Sequence, residues 1–555
     1  MRRVAVITAA ALAAVFLCVT ITLPPRPGVT AGTVSDDVRS RTIAGAFHVH
    51  STRSDGSGDV DAIAAAASRA GLRFVVMTDH GDATRPVDPP AYRSGVLVVD
   101  AVEISTNGGH YIALDMAAAP YPLGGEADAV VEDVARLGGF GVAAHPQSPK
   151  VELAWRDWSA PIGGIEWLNM DSEWRDESRT RLATVAASYP FRRGPAIASL
   201  LDRPEQVLAR WDTELAKRTI VGLAGHDAHG GLLEGGGGGV RAALGIPSYE
   251  ASFQTFAIRA VVGQQLTGSA VDDARLLVEA IRRGRVFTAI DAVAGPAFVD
   301  YRATAGTGRA SMGETIPFER EARLTVQSTV PVGGRLVLLR GGAQVAETTN
   351  GELSVVVNEP GAYRVEVRAP AAPGTPPVPW LLTNPIYLRG QAGDSGSRPP
   401  ALVVLRDVRG DVRLEKDPRS TATASSSEGR LTLDYALASG ERTSQYAALA
   451  MAMPQPATDA NALVFDVRAR APMRISVQLR FDALGGARWV RSVYASPDVT
   501  RVVVPFSRFV PVSGASAAPS FASASSILFV VDLTNAAPGQ TGAFDITNLA
   551  LVAVR

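Results

Sequence analysis

All seven histidines of this 555-residue chain lie between positions 48 and 229: His48, His50, His80, His110, His145, His226 and His229. They stand where short apolar runs end. Ala46-Phe47-His48-Val49-His50 closes one such run, and its two histidines, two residues apart, face the same side of a strand. His80 follows Phe74 to Thr78, and His145 follows Phe140 to Ala144. Glu103 closes a run from Gly95 to Ile104, and His110 opens the next, Tyr111 to Met116, across the hairpin signal Asn107-Gly108-Gly109. Asp227 and His229 follow Thr219 to Ala224, again two apart. His226 points the opposite way if that strand continues, so it stays outside the ligand set. Helical stretches separate the runs: Asp59 to Ala70, Ala127 to Leu137, Glu205 to Arg218 and Ala270 to Arg283. Such alternation predicts an α/β barrel or a doubly wound sheet from about Arg41 to residue 295. Ligand-type residues gathered at several strand ends match the working face of an α/β barrel. Imidazole and carboxylate without thiolate suit Zn, Mn or Fe.

Past residue 295 the pattern changes to short alternating runs punctuated by Gly, Pro and Thr, such as Arg335 to Leu339 and Tyr363 to Val367. This predicts an immunoglobulin-like β-sandwich over 296–390, a linker over 391–401, and a jelly-roll, galactose-binding-like sandwich over 402–555. Gly235 to Gly239 reads as a mobile loop. The 54 basic and 55 acidic side chains leave a formal charge of -1, which argues against a nucleic-acid coat or a polybasic membrane binder. With Cys18 as the single cysteine, no intrachain disulfide and no cysteine-based zinc site can form. Cys18 lies in the apolar run Val4 to Leu23, preceded by Arg2 and Arg3 and stopped by Pro24-Pro25. Residues 1–31 therefore read as a signal peptide or an N-terminal membrane anchor, with Val29-Thr30-Ala31 offering a cleavage site. The protein is expected outside the cytoplasm: secreted, periplasmic, or held at the outer face of the cytoplasmic membrane.

Phe47-His48-Val49-His50-Ser51-Thr52-Arg53-Ser54-Asp55-Gly56 resembles the opening motif of the PHP (polymerase and histidinol phosphatase) family. Thr78-Asp79-His80 resembles its second motif, and Glu103 with Gly109-His110 its third. Ala144-His145-Pro146 and His226-Asp227-Ala228-His229 resemble its fourth and fifth. The resemblance implies a multidomain protein with a distorted (β/α)7 barrel of PHP type followed by two all-β sandwich domains. It also implies two or three divalent transition metal ions. By it, His48, His50, Glu103 and Asp227 would hold one ion. Glu103, His110 and His145 would hold a second, and Asp55, His80 and His229 a third. The run Pro379-Trp380-Leu381-Leu382-Thr383-Asn384-Pro385-Ile386-Tyr387 is similar to the tail of a PHP subgroup that includes carbaryl hydrolases.

The expected activity is a metal-dependent hydrolase, foremost a phosphoesterase using a metal-bridging hydroxide, with Asp55, His229 and Arg53 acting in the catalytic step. Aryl ester or carbamate hydrolysis is the alternative on the same ligands. A further alternative is an envelope or glycan-binding protein with a degenerate barrel, whose C-terminal sandwich would offer Trp489 and Tyr494 to a sugar, though core packing is the plainer reading of both. Arg53 and Lys150 stand beside metal motifs and could bind phosphate, although solvated surface charge explains each equally well. Trp155, Trp158, Trp167, Trp174 and Trp211 crowd between the fourth and fifth motifs. They form either core or an aromatic lid over a small-molecule substrate. Arg53, Lys150 and a lid together predict a preference for aryl or nucleoside monophosphates.

Overall fold

The computed structural model describes residues 16–17, 20–21, 23–231, 247–390, 401–454, 459–512 and 520–555. Most of the expected signal segment, Cys18, the glycine run at 235–239 and the linker at 391–400 lie outside the described residues. Among the described residues no helix is long and apolar enough to cross a membrane. The chain is multidomain and rich in sheet. One compact unit comprises Met1–Gly81, Pro86–Ala117 and Val134–Gly393; the other comprises Asp82–Arg85, Ala118–Asp133 and Asp394–Arg555.

In the first unit the strands that matter for the site are β1 (Thr42–Val49), β2 (Phe74–Met77), β3 (Val96–Asp100), β4 (Val102–Thr106), β5 (Gly109–Leu114), β6 (Phe140–Ala143), β7 (Gly164–Asn169), β8 (Val221–Gly225), β9 (Ala257–Val261) and β10 (Val286–Ala289). β2, β6, β7 and β8 are buried along their whole length, which is why β2, β6 and β8 read as continuous apolar runs and do not alternate. The helix α1 (Val60–Arg69) is started by Asp59, whose carboxylate accepts from the Ala62 N–H. Its face of Ile63, Ala64, Ala66 and Ala67 packs in one cluster with Val75 and Met77 of β2. The run from Gly95 to Ile104, expected as one strand, is two. β3 pairs with β2, and β4 pairs with β5, so the chain changes sheet at Ala101.

One sheet follows the order β8-β7-β6-β5-β4, and another contains β9-β1-β2-β3. Two isolated parallel bridges link them, His80 with Glu103 and Val49 with Ala228. The first bridge lies past the end of β2 and the second past the end of β8. Both bridges sit beside histidine motifs.

The strand Leu381–Thr383 pairs with β10 on one side and with Gly361–Arg368 on the other. A single sheet thus continues past residue 295, and the expected boundary there falls inside one compact unit. The Pro379–Tyr387 run has a structural use. Trp380 is wholly buried, and its indole N–H donates to the Ala294 carbonyl at 3.1 Å. Asn384 accepts from the Gly222 N–H at 2.7 Å and donates to the carbonyls of Gly222 and Val286, each at 2.9 Å. The Tyr387 hydroxyl accepts from the Ile220 N–H at 3.2 Å.

The second unit is a sandwich of two six-stranded sheets. Its core includes Phe465, Phe481, Phe529 and Trp489, so Trp489 is a packing residue; Tyr494 is half-buried. Ala118–Asp133 belongs to this unit although the residues on either side of it in sequence belong to the first. Arg474, buried, donates to both Asp133 carboxylate oxygens at 2.7 and 2.9 Å and to the Ala129 carbonyl at 2.9 Å. The Ser492 N–H donates to Glu126 at 3.0 Å, and the Asn535 amide donates to the Pro122 carbonyl at 3.0 Å.

Candidate metal centre

The nine residues expected as ligands come together in the first unit. Glu103 is their centre. It is 1% exposed, and five imidazoles reach it. His110 Nδ1 and His145 Nε2 lie 2.8 Å from its Oε1. His48 Nε2 at 3.1 Å, His50 Nε2 at 3.2 Å and His80 Nδ1 at 3.3 Å surround its Oε2. Asp227 Oδ1 stands 3.4 Å from His48 Nε2 and 3.2 Å from His50 Nε2. On the solvent side, Asp55 Oδ2 lies 3.2 Å from His229 Nε2 and 3.6 Å from His80 Nε2. Asp55 and His80 side chains are about one-third exposed, and the rest of the cluster is almost closed to water.

Local backbone geometry makes this convergence possible. His48, His145 and Asp227 have φ of 66°, 28° and 47°, in the left-handed region that ordinary residues seldom occupy. At His48 the register of β1 against β2 is irregular. β8 ends at Gly225, so the expected strand alternation does not decide where His226 points; the left-handed turn at Asp227 follows it directly. His226 turns away from the cluster and stacks on Phe256 with ring centroids 4.3 Å apart. Its Nε2 donates to the Phe256 carbonyl at 3.0 Å, and burial pulls its pKa down to about 4, so it is neutral.

Asp79 holds the loop that presents Asp55. Its carboxylate accepts from the Ser51 N–H and hydroxyl, both at 2.7 Å, and from the Ser54 hydroxyl at 2.8 Å. Gly56 has no alternative in this loop, because a Cβ there would sit 2.3 Å from the His50 carbonyl oxygen. The Tyr249 hydroxyl closes the loop, donating to the His50 carbonyl at 2.8 Å and accepting from the N–H groups of Ser57 and Gly58 at 3.2 Å.

The electrostatics suit cations. Burial by itself favours the neutral form of Glu103, yet His48 and the bonded rings hold its carboxyl well below the usual range. Asp227 is held down in the same way by His48, His50 and His229 against the same penalty. Burial disfavours charge on His50, but Asp227 and Glu103 raise its pKa to about 9. The buried atoms His50 Nε2 and His229 Nε2 have no hydrogen-bond partner, although each lies within 3.2 Å of a carboxylate oxygen. Four overlapping groups have ligand atoms within 4.8 Å of one another: His48-Glu103-His145, His48-His50-Asp227, His50-Asp55-His80 and His80-Glu103-His110. Unbonded ring nitrogens, ionised carboxylates and a donor set of nitrogen and oxygen all fit divalent transition metals.

Arg53 does not join the cluster. Its guanidinium is engaged by Asp88 and, at 3.2 Å, by Asp100, both outside the cluster. Lys150 is half-buried in the turn after His145, and its backbone N–H donates to the Ser148 hydroxyl. The tryptophans do not form a lid. Trp155, Trp167 and Trp211 are at most 1% exposed, with their indole N–H groups bonded to the Asp157 carbonyl, the Thr288 hydroxyl and the Ile220 carbonyl. Trp174 is buried too, and Trp158 is half-buried under Arg210.

Two residues absent from the sequence reading belong to the site. Glu166 lies 2.7 Å from His48 Nδ1, and Asn169 donates to it at 2.9 Å. The signal was a carboxylate set among Ile165, Trp167 and Leu168 in a buried strand that ends in Asn169.

No family model matches the chain, and no curated protein matches it. Among solved structures, one from Bacteroides vulgatus ATCC 8482, a two-domain protein containing a predicted PHP-like metal-dependent phosphoesterase, matches 62% of this chain and 94% of its own at 15% identity, with a TM-score of 0.30. The family 11 carbohydrate-binding module of the cellulosomal cellulase Lic26A-Cel5E of Clostridium thermocellum matches 28% of this chain and 95% of its own at 16% identity, with a TM-score of 0.23.

Proposed function

We propose that the chain is an exported, divalent-metal-dependent phosphoesterase of PHP type, with a distorted (β/α)7 barrel over residues 41–295 of its first unit. The observation that carries the reading is one buried carboxylate, Glu103, met by five imidazoles and flanked by Asp227 and Asp55. A carboxylate so placed can serve two ions at once. His48, His50, Glu103 and Asp227 would hold one ion, Glu103, His110 and His145 a second, and Asp55, His80 and His229 a third. Bound there, the ions would acidify water and neutralise charge on a phosphoryl group. The chain's own part is to keep its carboxylates ionised, to exclude bulk water around Glu103, and to leave the Asp55–His80 edge open to substrate. Export rests on the N-terminal apolar run.

The expected preference for aryl or nucleoside monophosphates loses its support. Arg53 is engaged by Asp88 and Asp100, and the buried tryptophans make no lid. The Pro379–Tyr387 run is used in bonds to Ala294, Ile220, Gly222 and Val286, and says nothing of carbamates. Elemental analysis of purified protein grown with Mn, Zn and Fe is the test, followed by a screen of phosphomonoesters, phosphodiesters, aryl esters and carbamates. At least two ions per chain and phosphoester turnover are expected. Metal with ester or carbamate turnover alone would refute the phosphoesterase reading, and fewer than one ion per chain would refute the metal reading.

A further inference from the structure

We infer that Glu166 is a positioning residue which fixes His48 as a metal ligand through the nitrogen facing Glu103. The inference rests on the metal reading above and goes beyond its ligand set. Glu166 stands in β7 and is 1% exposed. Three donors converge on its carboxylate. His48 Nδ1 lies 2.7 Å from Oε1. The His145 backbone N–H donates to Oε2 at 2.6 Å, and Asn169 Nδ2 donates to the same oxygen at 2.9 Å.

With two N–H donors already on Oε2, Oε1 is left to accept from the ring that faces it. The proton between Glu166 and His48 therefore belongs to Nδ1. The free lone pair falls to Nε2, the atom that faces Glu103 and Asp227. A carboxylate on the far nitrogen also makes an imidazole a better ligand. The same group steadies two more ligands. It bonds the backbone of His145, whose φ is 28°, and through Asn169 it reaches Asp227, 3.4 Å from Asn169 Nδ2. Asn169 is fixed in turn, because its Oδ1 accepts from the Ser172 N–H at 3.0 Å. The neighbouring strand makes room: a Cβ on Gly225 would come within 1.8 Å of Glu166 Oε1.

Glu166→Gln is the informative change, because it keeps the volume and removes one acceptor. With its oxygen toward His145 and Asn169, glutamine keeps two bonds and turns its NH2 to His48 Nδ1. That selects the tautomer with the proton on Nε2, where it blocks ligation. With its oxygen toward His48, the NH2 meets two N–H donors. Either arrangement weakens the site.

Zn2+ affinity is measured on the full chain by chelator competition, and Glu166→Gln should bind about 10- to 100-fold more weakly than wild type. On metal-free wild type at alkaline pH, where the ring is neutral, 15N NMR of the histidine rings, with His48 assigned by its loss in His48→Gln, should show the proton on Nδ1. That result is one a purely structural glutamate would not dictate, and it decides the matter if Glu166→Gln does not fold. Affinity within about twofold of wild type, or a His48 proton on Nε2, overturns the inference while leaving the metal reading intact. A wild-type chain that binds no Zn2+ overturns both.

Discussion

Replacing Asn384 by alanine tests how the chain braces the strand that leads to Asp227 and His229. Asn384 is 1% exposed and lies far in sequence from β8, yet its side chain takes the place of a strand partner there. It serves both backbone polar groups of Gly222 and the carbonyl of Val286. Alanine removes all three bonds and leaves those groups buried. At about 1–3 kcal/mol for each buried group deprived of its partner, the loss sums to about 3–6 kcal/mol, allowing for partial rescue by water. Six of the seven tryptophans, Trp155, Trp158, Trp167, Trp174, Trp211 and Trp380, lie in the first unit, so their fluorescence during urea unfolding reports on it. Gly222 precedes Asp227 by five residues, so metal affinity should fall together with stability. A loss under about 1 kcal/mol would show that β8 needs no such partner and that the tail run is not a brace.

Glu103→Gln replaces the shared carboxylate by a group with a single acceptor; bound metal per chain should fall and turnover should drop by orders of magnitude, and near-normal values would place the bridge elsewhere. His226→Ala should spare metal content, whereas His229→Ala should reduce it, as read by elemental analysis; equal losses would mean that His226 supports the cluster directly. Glu173, 4% exposed and crowded by Asp176, Asp202 and Glu177, has its pKa raised by burial to about 8 from 4.5. The folded chain then binds a proton that the unfolded chain releases, so stability falls as pH rises from 4.5 to about 8, by at most about 1.4 kcal/mol per pH unit, and levels off above. Glu173→Gln should remove that slope, and parallel stability–pH curves for variant and wild type would refute the assignment. Arg474→Met leaves Asp133 buried without its cation and should cost the second unit about 3–5 kcal/mol, read as faster hydrogen exchange across residues 118–133; unchanged exchange there would show that the pair does not hold the segment.

Much of the site was legible in the sequence because ligand chemistry is written in residue type and local position. His48 and His50 at one strand end, His80 and His145 after others, and Asp227 with His229 all stand where short apolar runs stop, and strand ends are where a sheet exposes side chains. The alternation of runs and helices likewise carried the element order, and the change of pattern after residue 295 marked where short strands replace alternating strands and helices. What the tertiary structure alone decided is which group meets which across long separations. That Glu103 would touch five rings, that Arg53 would be taken by Asp88 and Asp100, and that Glu166 would stand behind His48 depend on residues up to 118 positions apart. The tryptophans could be core or lid until neighbours filled in around them. The joining of one sheet across residue 295, and the passage of 118–133 into the second unit, rest on the bonds of Leu381–Thr383 and of Arg474. Local periodicity records which face of an element is buried. It does not record the identity of the partner that buries it, because that choice belongs to the packing of the whole chain.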